Sequence, residues 1–358
     1  MTALWPRLVV NAKAIEENAR RVVQKCAGAG ISVSGVTKGM CANEDVARAM
    51  VAGGCSELAD SRVGNLATLK AMNTGLPLLL LRIPMLSELS LVVSRADCSL
   101  VSTAETVDGL EKACAASGLS HEVIVMIDLG DLREGVWMDD TGRIAEALKR
   151  SRRIRCRGVG VNFGCYGGTL PTPEKLRQLM RIGKELGREI GYPLSVFSGG
   201  STSSLLLLER GEMPPGINSL RIGEGILLGE DVTSMRSIPW LRRRTMWLEA
   251  ELVEVRKKPS VPVGPFGADA FGGKPVFDDR GTRMRAIAAV GRQDVRIEGL
   301  VPELEGVSIL GASSDHLILD VEDVAEPLVQ GDKLKFFPDY GAMLALATSP
   351  YVPFEVVV

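Results

Sequence analysis

The run at 31–38, ISVSGVTK, begins like a buried β-strand and ends on a lysine. Buried apolar strands normally carry no charged side chain. Lys38 therefore either marks the exposed end of the strand or places its amine there for chemistry, because a buried lysine readily loses its charge and becomes a nucleophile. The residues that end the other β-rich runs bear on this choice.

Two later segments, SGGSTSS at 198–204 and RIGEG at 221–225, have the composition of a phosphate-binding cradle. Their glycines let the backbone approach a ligand, and Ser201, Thr202 and Ser203 offer hydroxyl groups just before a predicted helix. Taken singly, each segment also fits an ordinary strand-to-helix loop with a capping serine. A lysine amine facing a phosphate site is the arrangement that holds pyridoxal phosphate, so this cofactor is one hypothesis.

Short β-rich runs and helix-compatible stretches alternate through the first two thirds of the chain. The stretch 172–191, for example, has Thr172 as its expected N-cap, Pro173 at the first helical position and Gly191 beyond its end. Eight such strand–helix units predict a parallel sheet covered by helices and closed as a (β/α)8 barrel. An open doubly wound sheet is the alternative, but its G-x-G-x-x-G motif is missing after the first strand. The predicted strands are 31–38, 56–60, 76–83, 98–102, 121–130, 154–163, 194–200 and 219–229.

The pattern changes after about residue 235, where strand and turn signals continue without comparable helix patterns. We therefore expect a barrel over 10–235, followed by a smaller, mainly antiparallel β domain over 236–358. The segment 1–9 is expected to join the β domain as a strand. That pairing would tie the two ends of the chain together.

The composition excludes several classes of protein. With 358 residues and 46% hydrophobic side chains, the chain can fill a large core. A formal net charge of −2 with mixed signs leaves no basic surface for nucleic acid or anionic lipid. The N-terminal sequence has no charged leader before an apolar run, and no segment is long enough to cross a bilayer, so a cytoplasmic protein is expected. The spacing of the seven cysteines predicts neither a disulfide framework nor a metal site.

Nine motifs fall in order on the predicted strand ends and then on the β domain. Together they resemble the motifs of fold-type III pyridoxal phosphate enzymes of the alanine racemase superfamily, and within it they are similar to those of ornithine racemases. The resemblance extends over nearly the whole chain, and the set is specific although no single motif is decisive. The motifs are VTKGMCAN, ADSR, LRIPML, DLGDLREG, GVNFGCYGG, SGGSTSS, LRIGEGILLG, GADAFGGKP and LGASSDHLILD.

The resemblance implies how the cofactor would be held. Lys38 is expected to form the Schiff base, and Arg221 is expected to face the pyridine nitrogen. Because an arginine does not readily give up a proton, that nitrogen would stay unprotonated, which suits racemisation better than transamination. The other residues implied at the cofactor are Asn162 at the ring face, Tyr340, and, for the phosphate, Ser201, Thr202 and Ser203 with the backbone N–H groups of Gly223 and Glu224. Arg133 would reach the phenolic oxygen and the substrate carboxylate.

Three positions depart from the alanine racemase pattern. Met126 stands where alanine racemase has a modified lysine, and Asn162 stands where it has a histidine. No tyrosine occurs around 260–273, where alanine racemase carries its second catalytic base on the partner subunit. His316 is the predicted replacement, because an imidazole titrates near neutral pH. The alternatives are Asp315, Asp269 and Tyr340.

Other functions agree less well with the residues. A pyridoxal phosphate homeostasis protein would not need the β domain. Basic amino acid decarboxylases normally use an acidic group at the ring nitrogen and a cysteine in the β domain, yet no cysteine follows Cys165. D-Serine dehydratase and D-threonine aldolase relatives bind a metal through histidine and cysteine there, so no metal is expected here. Without the cofactor, a barrel enzyme acting on a phosphorylated substrate is the next alternative.

The resemblance therefore implies an amino acid racemase that interconverts L- and D-ornithine, with alanine, serine or lysine as alternative substrates. Lys38 would remove the α-proton on one face, and a group from the partner subunit of a head-to-tail homodimer would return it on the other. Asp269 and Asp315 are predicted to bind substrate together with Arg133. The carboxylate that would read a substrate ammonium is left open among Asp131, Glu134, Glu224, Asp269 and Asp315.

Overall fold

The computed structural model describes residues 5–265, 267–274 and 276–357, and the chain divides into two compact units. One unit runs from Ala12 to Arg243, and the other combines the residues up to Asn11 with those from Arg244 onward. The sequence analysis placed these boundaries at residues 10 and 235. Residues 1–4 of the predicted N-terminal strand segment, and Phe266 and Pro275 in the Gly/Pro-rich stretch, lie outside the described residues.

The unit 12–243 is a closed barrel of eight parallel strands. It follows strand β1 (Arg7–Asn11), and a short strand β7 (Val136–Trp137) pairs with the end of one barrel strand. Neighbouring barrel strands pair in parallel, and the last pairs with the first through Leu220 opposite Val33. The predicted fold class is confirmed. The barrel strands are β2 (Ser32–Val36), β3 (Glu57–Asp60), β4 (Leu78–Leu80), β5 (Cys98–Val101), β6 (His121–Asp128), β8 (Ile154–Gly160), β9 (Val196–Ser198) and β10 (Ser219–Ile222).

Apolar side chains fill the barrel and set the register of its strands. Ala59, Leu79, Leu100, Ile124 and Met126 pack in one buried cluster contributed by successive strands. Such layers of side chains make the centre of a barrel a packed core and leave chemistry to the loops at the carboxyl ends of its strands.

Helix α1 precedes the first barrel strand, and the other helices of this unit follow barrel strands. In α7, Thr172 accepts a hydrogen bond from the Lys175 N–H (3.3 Å), and Gly191 ends the helix at φ +89°, as the sequence predicts. Its buried face includes Leu176, Leu179, Ile182 and Leu186, whereas Met180 is only partly buried. The helices are α1 (Ala12–Ala27), α2 (Glu44–Ala52), α3 (Val63–Ala71), α4 (Leu89–Arg95), α5 (Ala104–Ser117), α6 (Gly142–Arg150), α7 (Pro173–Ile190), α8 (Leu205–Glu209) and α9 (Glu224–Leu228).

The last barrel strand is shorter than the predicted range 219–229. It ends at Ile222, and helix α9 occupies the rest of the apolar run. Leu227 and Gly229 donate backbone hydrogen bonds to the carbonyl groups of Gly223 and Gly225, which are helical pairings. The apolar run between the glycines therefore forms a short helix rather than a strand. A hairpin of β11 (Glu230–Asp231) and β12 (Arg236–Ser237) follows.

The other unit is mainly an antiparallel sheet, in the order β15-β18-β13-β14-β17-β16. Strand β1 belongs to it: Leu8 lies opposite Leu248 in an antiparallel pair and opposite Phe354 in a parallel pair. The strands are β13 (Met246–Pro259), β14 (Thr282–Ala288), β15 (Leu300–Pro302), β16 (Ser308–Ala312), β17 (Leu317–Asp320), β18 (Lys333–Pro338) and β19 (Phe354–Val357).

A helix in this unit contradicts the expectation that none interrupts the strands. Helix α10 (Tyr340–Thr348) begins directly after β18, where the Asp339 carboxylate accepts the Ala342 N–H (2.8 Å). Its alanine, leucine and methionine residues have high helix propensity, so the cap and the composition together favour it. Over the described parts of the chain, no helix combines the length and the apolar character needed to span a membrane.

Candidate active site

Lys38 lies where β2 ends, on the face of the barrel that carries the carboxyl ends of the strands. The preceding residue, Thr37, fixes this position, because its N–H bonds to the Ala59 carbonyl (2.9 Å) and its hydroxyl donates to Asp60 (2.8 Å). Lys38 then opens a single turn of 3-10 helix that ends at Met40. The backbone that carries Lys38 is thereby tied to the neighbouring strand β3.

The environment of Lys38 favours the neutral amine. Burial is the main cause that lowers its pKa from the ordinary value, and the positive charges of Arg133 and Arg221 lower it further. The buried Asp60 acts in the opposite direction. A lysine with a lowered pKa serves as a nucleophile and as a proton carrier closer to neutral pH.

Arg221, in β10, is 4% exposed and its guanidinium is held by oxygen atoms of two neighbouring strand ends. It donates to the Val161 carbonyl (2.8 Å), to Oδ1 of Asn162 (3.0 Å) and to the Ser198 hydroxyl. Burial lowers the pKa of Arg221 to about 10. The guanidinium therefore stays charged at neutral pH and presents a fixed set of donors.

Asn162 connects Arg221 to a second arginine. Its amide nitrogen donates to Oε1 of Glu134 (2.8 Å), and Glu134 forms an ion pair with the adjacent Arg133. Arg133 and Glu134 follow β6, and Asn162 follows β8. The two arginines that the sequence analysis assigned to the cofactor and the substrate are therefore joined through one amide and one carboxylate.

Two aspartates fix the loops that carry these residues. Asp128 accepts the N–H groups of Gly130 (2.8 Å) and Leu132 (3.2 Å). Asp131 is buried and accepts the hydroxyl of Thr169 (2.9 Å) and the N–H of Tyr166 (3.2 Å). Asp131 was one candidate for the substrate ammonium, but both of its oxygens are engaged in joining the loops after β6 and β8.

The predicted phosphate cradle forms a compact turn after β9. Gly200 takes φ +109°, a value that favours glycine, and the Thr202 hydroxyl accepts the N–H of Gly225 (3.1 Å) at the start of α9. The Ser203 hydroxyl is buried and has no hydrogen-bond partner among the described residues. Because an unpaired buried hydroxyl is costly, Ser203 fits a site whose ligand supplies acceptor oxygens.

Glu224 follows Gly223 in the same region and is half-buried. One oxygen of its carboxylate accepts the Val232 N–H (3.2 Å), and within the described ranges no lysine or arginine forms a salt bridge with it. Burial is the main cause that raises its pKa to about 7, and the charges of Asp231 and Glu230 add to the effect. Both of these neighbours have cations of their own: Asp231 pairs with Arg236, and Glu230 pairs with Arg243.

The candidates for the second base belong to the other unit. His316 is exposed in the turn between β16 and β17, with its Nδ1 3.3 Å from Asp315. A hydrogen bond from Ser314 is the main cause that lowers the pKa of Asp315. Asp269 accepts the N–H groups of Phe271 (2.9 Å) and Gly273 (2.8 Å), and Tyr340 is the first residue of α10. The base role of all four stays a prediction.

Sequence reasoning missed the partners of the two arginines. It proposed Glu134 only as a reader of substrate, whereas both oxygens of this carboxylate are engaged by Arg133 and one also accepts Asn162. It gave Ser198 no role, although this residue contacts Arg221. The sequence did contain one signal of the ion pair, because Glu134 directly follows Arg133 at a predicted strand end.

The strand ends of the barrel present a lysine, two arginines and a hydroxyl-rich cradle, and a β domain accompanies the barrel in the same chain. Several known enzymes share this class of fold. The model of the alanine racemase N-terminal domain matches residues 10–230. A lysine racemase of Thermotoga maritima is 43% identical over 349 residues, which is 98% of each chain. An ornithine racemase of Acetoanaerobium sticklandii is 39% identical, over 99% of this chain and 100% of the relative.

Solved structures agree on the fold. An alanine racemase of Clostridium difficile 630 superposes with a TM-score of 0.77 at 17% identity, over 99% of this chain and 97% of that one. A D-threonine aldolase from Filomicrobium marinum gives 0.73 at 18% identity, over 96% and 88%. The chain belongs to the alanine racemase family. It is an amino acid racemase, which confirms the predicted enzyme class.

Proposed function

We propose that the protein is a pyridoxal phosphate-dependent racemase of basic amino acids that interconverts L- and D-ornithine. The observation that carries this proposal is the meeting of Lys38, Arg133 and Arg221 at the carboxyl ends of the barrel strands, where their charges act on one another. A lysine with a lowered pKa that feels the charges of two guanidinium groups is suited to bind an anionic cofactor and to move a proton.

The residues present fit the cofactor that the alanine racemase family uses. Pyridoxal phosphate, when bound, delocalises the negative charge that deprotonation leaves on the α-carbon of an amino acid. Lys38 would hold it through its amine and Arg221 would face the ring nitrogen. The buried, unpaired hydroxyl of Ser203 supports a phosphate in the cradle. The remaining contacts that we propose are Asn162, Ser201, Thr202, Gly223, Glu224 and Tyr340.

The chain's own groups would then move the proton. Lys38 removes it on one face of the substrate, and a group on the opposite face returns it, with His316 as the proposed residue. Arg133 binds the substrate carboxylate. Arg221 keeps its proton because its pKa of about 10 lies above the working range, so it limits the charge that the cofactor withdraws and disfavours transamination.

Glu224 supports a substrate with a second ammonium group. Of the five carboxylates that the sequence left open, it is the one in the barrel unit with an oxygen that no described residue engages. The charge of Lys38 acts on Glu224, but no salt bridge forms between them, and a ligand ammonium would offset the cost of the half-buried carboxylate. Lysine is the second candidate substrate, because the relatives include a lysine racemase as well as an ornithine racemase.

A homodimer would complete the site in this proposal. Apolar side chains lie exposed on the loops of the barrel unit: Tyr166 is 76% exposed and Met235 is 93% exposed. Exposed apolar surface of this kind is typical of an interface. In a head-to-tail dimer the β domain of a second copy, with His316, would cover each barrel mouth.

Exchange of the α-proton for deuterium tests the proposed function directly. Both enantiomers of ornithine, lysine, alanine and serine are incubated with the holoenzyme in deuterated water and followed by NMR. We expect exchange and conversion of ornithine, with lysine next. A protein that converts alanine or serine faster than either diamino acid would contradict the substrate, and a protein without a cofactor-dependent reaction would contradict the mechanism.

A further inference from the structure

The carboxylate of Glu134 is shared between two residues of the candidate active site. Arg133 reaches both of its oxygens, and Asn162 donates its amide N–H to Oε1 (2.8 Å). Both oxygens of Glu134 are therefore already engaged by other residues of the protein. Its contacts point instead to a role within the protein.

The contacts of Asn162 show that this role extends to Arg221. An asparagine amide has one acceptor oxygen and one donor nitrogen. The oxygen accepts from Arg221 (3.0 Å), so the nitrogen needs an acceptor on the other side, and the Glu134 carboxylate supplies it. If the amide turned over, its N–H₂ group would face the guanidinium and its oxygen would face the carboxylate. Glu134 thus holds Asn162 in the orientation that binds Arg221.

The charges of the site give Glu134 a second task. Lys38, Arg133 and Arg221 bring three cationic groups together, and each arginine lowers the pKa of the lysine. Burial lowers the pKa of Arg133, but the hydrogen bond from Arg133 to Glu134, together with the charges of Cys165, Glu134 and Asp131, outweighs this effect and the pKa is raised. Glu134 also acts on Arg221 in the same direction. The carboxylate is therefore one of the anionic groups that offset the positive charge of the two guanidinium groups.

The backbone around Glu134 fixes its position. Leu132 adopts φ +55°, and Gly135 adopts φ +147° so close to the end of β6 that a Cβ atom there would lie 2.5 Å from the Asp128 nitrogen. Only glycine fits such a contact. The carboxylate is therefore presented from a loop that is closely packed on its strand.

We propose that Glu134 is a positioning residue that orients both arginines of the active site: Arg133 through a direct ion pair and Arg221 through Asn162. The inference rests on the proposed function for the identity of what the arginines bind.

Two substitutions separate the charge of Glu134 from its hydrogen bond. E134Q keeps an oxygen that can accept from Asn162 but has no charge, whereas E134A removes both. E105Q is the matched control, because Glu105 forms an ion pair with Arg143 (2.6 Å) between exposed side chains, where such pairs contribute little. The measurements are the affinity of each apoprotein for pyridoxal phosphate, the unfolding temperature of each apoprotein, and KM and kcat of each holoenzyme.

We expect E134Q to raise KM more than it lowers kcat. This variant loses the ion pair that positions Arg133, the proposed ligand of the substrate carboxylate, but keeps an acceptor for Asn162. E134A should lose roughly 10- to 100-fold in kcat/KM, the range for a lost hydrogen bond to a charged group, and should bind pyridoxal phosphate more weakly. In a double-mutant cycle, E134A should add little to the effect of N162A on cofactor affinity and kcat. The unfolding temperatures of E134Q and E134A should match that of the parent. E105Q should match the parent in every measurement.

Parental KM, kcat and cofactor affinity in both E134Q and E134A would overturn the proposal. So would a loss that is accompanied by a lower unfolding temperature and adds fully to the effect of N162A, since Glu134 would then only support its loop. If the parent converts alanine but neither ornithine nor lysine, the substrate proposal fails, yet the same variants measured on alanine still decide the role of Glu134.

Discussion

Replacing Glu224 with glutamine should stabilise the apoprotein at alkaline pH. Burial raises the pKa of this carboxyl from its ordinary 4.5 to about 7, so the native state resists its ionisation. Between these two values the native state holds a proton that the unfolded state has lost, and the free energy of unfolding therefore falls as pH rises through this window. Below the window the carboxyl is protonated in both states and has no such effect.

The size of the effect follows from the two pKa values. Each pKa unit corresponds to about 1.4 kcal/mol, so the full cost of the ionised carboxylate is about 3 kcal/mol. Because the side chain is partly exposed, solvent screening reduces this to about 2 kcal/mol. Glutamine has nearly the same shape, keeps an oxygen for the Val232 N–H and never ionises.

Urea unfolding of the apoprotein, followed by circular dichroism, measures this difference. We expect the advantage of E224Q over the parent to grow by about 2 kcal/mol between about pH 5 and pH 8. E185Q is the control, because Glu185 is an exposed carboxylate on α7. An E224Q advantage that is the same at both pH values would refute the reasoning, since the carboxylate would then ionise as it does in water and would have no need of a substrate cation.

Three substitutions test the proposed catalytic groups. K38A should abolish racemisation and the borohydride-reducible adduct with pyridoxal phosphate, and an adduct at another lysine would contradict the assignment. R221E should slow racemisation and increase transamination, because a carboxyl group lets the ring nitrogen hold a proton; an equally fast and clean variant would make Arg221 structural. H316N should keep cofactor binding and α-proton exchange of one enantiomer but lose net conversion by roughly 100- to 10,000-fold. Near-parental conversion by H316N would exclude His316 as the second base, and the same assay would then be applied to variants of Asp315, Asp269 and Tyr340.

The barrel was predictable because its signals are local. Each strand is a short apolar run, and α7 is bounded by a capping threonine and a glycine that the structure places as expected. Helix α10 was missed because it lacks such a local signal. Its residues, YGAMLALAT, are almost uniformly apolar and carry no polar stripe, so no helical period stands out from the strands around it.

The site was predictable to the extent that it depends on strand ends. Lys38, Arg133 and Arg221 were assigned by resemblance to positions that the barrel places on one face, and the structure brings their charges together. The contact of Glu134 with Asn162 joins residues 28 positions apart on two loops. It depends on backbone turns at Leu132 and Gly135 and on the rotation of an amide, none of which a pattern of residue types specifies.

Strand β1 has a consequence for how the protein is made. It lies between β13 and β19, and Arg7 pairs with Glu355, 348 residues away. On the ribosome, β1 is therefore synthesised long before either neighbour exists, whereas most barrel strands pair with the next barrel strand along the chain. Until both β13 and β19 are released, β1 is an apolar strand with at least one unsatisfied edge, which is a form prone to aggregation. Completion of the β domain, rather than of the barrel, should therefore limit the yield of active protein.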